Sequence, residues 1–121
     1  MVMIRITAPL TPVPFTRVMA NGKRRYNSAR YTEFKDELGF FAFQAMGGRE
    51  PFKGCVRVSA EFYKKRRGVS KGSWGDVDNF LKAVLDSLIG ICYVDDGQVI
   101  QVSAAKAYGD PRIVIEVEEV R

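Results

Sequence analysis

The apolar residues of this chain change their spacing along its length, and that change limits the folds open to it. Val2, Ile4, Ile6 and Ala8 alternate with Met3, Arg5 and Thr7, the period-2 pattern of a half-buried strand. Val56, Val58, Ala60 and Phe62 alternate in the same way with Arg57, Ser59 and Glu61, and Ile113, Ile115 and Val117 repeat the pattern near the C-terminus. Between these segments Tyr31, Phe34, Leu38, Phe41 and Ala45 recur at steps of three and four, and Phe80, Leu81, Val84, Leu85 and Leu88 form a second stripe at helical spacing. The order is strand, helix, strand, helix, strand, strand. It predicts an α+β fold with a small mixed sheet covered by two helices on one face.

Breaker residues set the expected boundaries. Pro9, Pro12 and Pro14 forbid regular structure after the first strand, so a loop is expected to about Asn27, with a turn at Asn21-Gly22. Ser28 is placed to cap the first helix and Gly47-Gly48 to end it. The second helix is expected from Asp78, with Gly90 as its C′ residue, and Asp95-Asp96-Gly97 is a turn signal. A hairpin closes the chain, with strands Gln98 to Tyr108 and Arg112 to Val120 around Gly109-Asp110-Pro111.

At 121 residues the chain suits one domain, expected to span residues 1–121. It contains no apolar run of about 18 residues, which argues against a membrane helix, and its N-terminal apolar run is too short for a signal peptide. The expected location is the cytoplasm. Cys55 and Cys92 are too few for a disulfide scaffold and are expected as reduced thiols, Cys55 in the core and Cys92 packed without chemistry of its own.

The chain has no histidine. That excludes Ser-His-Asp and Cys-His catalysis and leaves two cysteines, which cannot fill a tetrahedral zinc shell. Catalysis would have to rest on carboxylates, lysine, tyrosine or a hard metal ion. Charge is divided along the chain. Residues 1–75 carry 15 basic and 5 acidic side chains, residues 76–121 carry 4 basic and 9 acidic ones, and the net charge is +5. A basic front with an acidic rear suits a protein that grips a polyanion beside a bound cation, although uneven surface charge alone would give the same split.

The acidic residues are not scattered. Asp76 and Asp78 sit two apart immediately before helical spacing begins, and two such carboxylates repel unless a cation lies between them. Asp78, Lys82 and Asp86 follow at steps of four along one helix edge. Asp78 could equally serve as the helix cap, and Lys82 could be a surface lysine paired with Asp78 or Asp86. Asp95 and Asp96 lie on a turn from which the chain could fold back towards the helix start. Clustered carboxylates without His or Cys suit Mg2+ or Mn2+, and such an ion activates water for phosphodiester hydrolysis. Lys82 could then orient that water or neutralise charge on the phosphate.

The segment Asp76-Val77-Asp78-Asn79-x-x-Lys82-x-x-x-Asp86-x-Leu88, followed by Tyr93-Val94-Asp95-Asp96-x-Gln98-Val99, resembles the signature of the RusA Holliday junction resolvases. These are small homodimeric Mg2+-dependent endonucleases of DNA recombination and repair, often carried by phages and prophages. The resemblance implies metal binding and catalysis by Asp76, Asp78 and Asp96. It makes Lys82 the catalytic lysine and Asp95 the less central member of the acidic pair, and it gives Asp86 no fixed role. The pattern departs from the family just upstream, where Ser73-Trp74-Gly75 stands in place of an arginine run.

Residues 64–75, KKRRGVSKGSWG, are expected as an exposed loop whose Lys64, Lys65, Arg66, Arg67 and Lys71 track phosphates. Trp74 could stack at a strand exchange point or pack on the sheet edge. Arg17, Lys23, Arg24 and Arg25 in the early loop are further candidate DNA contacts. Phe34, Phe40, Phe41 and Phe43 are more apolar than one helix face requires, which suggests a homodimer interface, and a two-fold dimer would match a four-way junction cut twice. Two other readings compete with a junction endonuclease: a branched-DNA-binding module without catalysis, and a phosphohydrolase of a small ester. Intact Asp76, Asp78, Lys82 and Asp96 argue against the first, and the long cationic run argues against the second.

Overall fold

A computed structural model of the chain describes residues 2–15, 19–21, 24–26, 29–66 and 75–120. In chain order the elements are β1 (Met3–Ala8), β2 (Met19–Asn21), β3 (Arg24–Tyr26), α1 (Ala29–Met46), β4 (Val56–Lys64), α2 (Val77–Leu88), a 3-10 turn (Asp96–Gln98), β5 (Val99–Tyr108) and β6 (Arg112–Glu119). This is the expected α+β class. Four strands form a mixed sheet in the order β1-β6-β4-β5. β6 runs antiparallel to both β1 and β4, while β4 and β5 are parallel. A parallel pair needs a crossover connection, and α2 with the turn after it supplies one.

Register explains the core. Ile115 of β6 stands between Ile6 and Ala60, and Ile113 stands between Ala8 and Phe62. These rows are buried, and α1 covers them with Tyr31, Phe34, Leu38, Ala42 and Met46. α2 adds Phe80, Ala83, Val84 and Leu88. The other sheet face is wet and is laced by side chains. The Arg57 guanidinium reaches Glu118 at 2.9 Å and donates to Gln101 at 3.0 Å. One covered and one solvated face is what period-2 alternation predicts.

Four expectations need correction. The early loop contains a small hairpin, with β2 paired antiparallel to β3. Strands of three residues are too short to show a period, and only the turn at Asn21-Gly22 signalled them. α2 begins at Val77, so Asp76 and not Asp78 is the cap residue. Cys55 is exposed instead of in the core, because it precedes β4 and Val56 takes the inward position. The expected closing hairpin does not form: β5 and β6 follow one another around Gly109-Asp110-Pro111, but β4 lies between them, parallel to β5 and antiparallel to β6, which leaves β5 at the sheet edge. Gly90 does follow the C-cap residue Ile89, at φ +82°, a left-handed backbone that glycine adopts without strain. The proposed cap Ser28 lies outside the described residues.

Candidate active site

The start of α2 presents two carboxylates in different local roles. Asp76 holds an extended backbone at the N-cap, with φ −84° and ψ 139°, and its side chain makes no capping hydrogen bond. Its carbonyl instead receives the first helical amides, Asn79 at 3.1 Å and Phe80 at 3.2 Å. Asp78 sits in the first turn, where its Oδ1 accepts from the Asn79 amide at 3.0 Å. Both side chains are exposed. The helix N-terminus favours negative charge there, which eases the repulsion between two neighbouring carboxylates.

One turn further, the Lys82 ammonium lies over the Phe15 ring, 4.8 Å from its centroid. Among the described residues Lys82 forms no ion pair with Asp78 or Asp86. Phe15 is fixed from two sides. Its amide donates to the Asn79 carbonyl at 3.0 Å, and its ring meets Tyr31 edge-on at 5.6 Å. Tyr31 in turn donates its hydroxyl to Asp86 Oδ2 at 3.2 Å. Burial first, and the Asp86 charge second, push the Tyr31 hydroxyl well above the usual tyrosine range, so it stays a donor. Asp86 is therefore a strut between the two helices.

The acidic turn divides its two aspartates. Asp95 caps the 3-10 turn, accepting from the Gly97 amide at 3.2 Å within a reciprocal capping box. Gln98 completes that box and holds the whole turn. Its Oε1 accepts from the amides of Val94 and Asp95 at 2.8 and 2.9 Å. Its Nε2 donates to the carbonyls of Phe52 and Gly54 at 2.7 and 2.8 Å. Asp96 is left exposed with no such duty. Before the turn, the fully buried Tyr93 donates its hydroxyl to the Leu85 carbonyl at 2.7 Å, anchoring the turn to the second half of α2. Burial raises the Tyr93 hydroxyl above its usual range, with Cys92, Asp96 and Asp86 adding to the shift.

The donor set suits a hard cation: carboxylate oxygens, with no imidazole present in the chain. Among the described residues no three acidic or cysteine side chains gather closely enough to hold an ion. Mg2+ commonly takes one or two carboxylates and completes its shell with water and substrate phosphate. The Asp76–Asp78 pair fits that requirement, and Asp96 lies on a separate element.

Of the proposed DNA contacts, Lys64 ends β4, and Lys65 and Arg66 are exposed just beyond it. Arg66 lies over the exposed Tyr108 ring, 5.7 Å from its centroid. Arg24 and Arg25 belong to β3. Arg17, Lys23, Arg67, Lys71 and Trp74 lie outside the described residues. Phe15 and Gln98 are structural partners of the site that composition and spacing did not single out as such. Their roles depend on contacts distant in sequence, and only Gln98 stood within the recognised motif. Among the described residues no helix is long and apolar enough to cross a membrane.

A sheet-backed helix that opens on two exposed carboxylates, with a lysine one turn on, is an arrangement that phosphate chemistry can use. The family model of Endodeoxyribonuclease RusA matches residues 9–118, and the chain belongs to the RusA endodeoxyribonuclease family. It is also similar to the Bacillus subtilis (strain 168) protein named "Uncharacterized protein YqaN", with 36% identity over 63 residues, 47% of this chain and 44% of that protein. The chain thus covers less than half the length of that relative.

Proposed function

We propose that this protein is a Mg2+-dependent, structure-selective endonuclease that resolves Holliday junctions by paired phosphodiester hydrolysis in DNA recombination and repair. One observation carries the reading: Asp76 occupies the N-cap of α2 without using its carboxylate as a cap. Asp76 and Asp78 would hold the ion, with Asp96 as a further carboxylate of the reaction. Mn2+ is a chemically reasonable substitute. The ion, when bound, supplies Lewis-acid stabilisation and a more acidic water. Lys82 contributes a positive charge near the phosphate, its ammonium resting over the Phe15 ring. Lys64, Lys65 and Arg66 track the backbone without reading sequence. The junction's two symmetric cuts call for two copies. The proposed homodimer face includes Phe40 and Phe43 of α1, which are 56% and 66% exposed, whereas Phe34 is buried.

The test is incubation with a synthetic four-way junction or linear duplex, in Mg2+ or in EDTA. Paired nicks confined to the junction and to Mg2+ are expected. Binding without cutting would make the protein a branched-DNA-binding module, and neither binding nor cutting would overturn the reading.

A further inference from the structure

We infer that Lys106, on the edge strand β5, is a positioning residue that fixes the Gly75–Asp76 backbone and so aims the first carboxylate of the site. This rests on the nuclease reading above. The Lys106 ammonium donates to the Gly75 carbonyl at 2.6 Å, across 31 positions of sequence. Gly75 is the residue immediately before the N-cap, and three features converge on it. Its φ of +119° belongs to the region that disfavours side chains. A Cβ added there would stand 2.6 Å from Cζ of Phe80, so the glycine lies flat against that ring. Phe80 is fully buried in α2 and packs on Phe62 of β4 at 5.3 Å between ring centroids. Lys106 is the register partner of Phe62, so lysine and phenylalanine rise from the same face of the parallel pair. Lys106, Phe62, Phe80 and Gly75 therefore form one connected unit between the sheet and the start of α2.

The residue just beyond β5 holds the other margin of the basic run, because the Gly109 amide donates to the Lys64 carbonyl at 3.0 Å. Lys64 and Gly75 bound that run, so both of its ends are tied to residues 106–109, the end of β5 and the residue after it. One Lys106 donor is committed to a carbonyl rather than free for phosphate. The bond fixes the peptide from which the Asp76 side chain departs. Outer-shell contacts of this kind set ligand orientation more than they set fold.

The experiment compares Lys106→Met and Lys106→Arg with wild type in four measurements. These are amide hydrogen exchange of Asn79 and Phe80 in metal-free protein, the Mg2+ concentration for half-maximal junction cleavage, junction affinity in EDTA, and the salt dependence of that affinity. Lys106→Met is expected to speed exchange at both amides several-fold. It should raise the Mg2+ requirement about 10-fold, the lower end for outer-shell partners. Junction affinity and its salt slope should stay near wild type, and Lys106→Arg should restore both altered readouts. Unchanged exchange and an unchanged Mg2+ requirement would overturn the inference. So would weaker junction binding with a salt slope shallower by about one, the mark of a lost phosphate contact. If the wild-type protein proves not to cut, the nuclease reading fails by itself, and exchange still decides whether Lys106 fixes the backbone.

Discussion

The hydroxyl of Tyr31 in α1 and the carboxylate of Asp86 in α2 meet at 3.2 Å, 55 positions apart in sequence, and this bond joins the helix that covers the sheet to the helix that carries the site. Tyr31→Phe keeps the ring against Phe15 and removes only the donor. The expected loss is about 1.5–3 kcal/mol for a hydrogen bond to a carboxylate. Cleavage should remain within a few-fold of wild type. A large loss of cleavage without loss of melting temperature would move Asp86 from strut to catalytic group.

Asp76→Asn, Asp78→Asn and Asp96→Asn should each abolish cleavage and leave junction binding intact or tighter, because each removes negative charge that would face DNA. Asp76 makes no side-chain capping bond, so Asp76→Asn should barely shift thermal unfolding. Single-turnover cleavage and a binding isotherm on the same samples check this. Near wild-type cutting by any one variant would remove that residue from the site.

Lys82→Ala should lower the cleavage rate about 10²–10³-fold, the usual effect of losing one transition-state charge. Lys82→Arg should recover part of it. Removing its partner ring in Phe15→Leu should cost about 0.5–1 kcal/mol from the cation–π contact and reduce the rate more modestly. Normal cleavage by Lys82→Ala would make the residue a surface lysine.

The two aspartates of the acidic turn should separate. Asp95→Ala removes a cap and should cost about 1 kcal/mol, while Asp95→Asn keeps an acceptor for the Gly97 amide and should be close to neutral. Calorimetry on Asp95→Ala, Asp95→Asn and Asp96→Asn checks the division: Asp95 is expected to govern stability and Asp96 activity.

Burial pushes the Cys92 thiol up to about 12, while Cys55 is exposed. Alkylation of the native protein at neutral pH should therefore modify Cys55 alone. The sign of the pH effect follows. A thiol whose folded value lies above its unfolded value of 9.0 contributes stability that is fully present below pH 9 and is lost as pH rises towards 12. Cys92→Ala should flatten that alkaline fall in unfolding free energy, although it lowers stability overall.

By itself the sequence determined the periods, and the periods determined the elements. Alternation at residues 56–62 and 113–117 required strands with one buried face, and the stripe from Phe80 to Leu88 required a helix with one buried edge, because side-chain direction follows backbone repeat. The Asp76, Asp78, Lys82 and Asp96 motif was legible for the same reason: it lies on short contiguous stretches whose spacing is local. Only the tertiary structure decided what each acidic residue is for. Asp76, Asp78, Asp86, Asp95 and Asp96 are chemically alike in the chain. They diverge because Asp86 meets Tyr31, Asp95 closes a turn braced by Gln98, and Asp76 stands at a cap whose geometry Gly75, Phe80 and Lys106 fix without its carboxylate. Those partners lie up to 55 positions away, and pairings at such range come from strand order and helix packing, which no local period encodes.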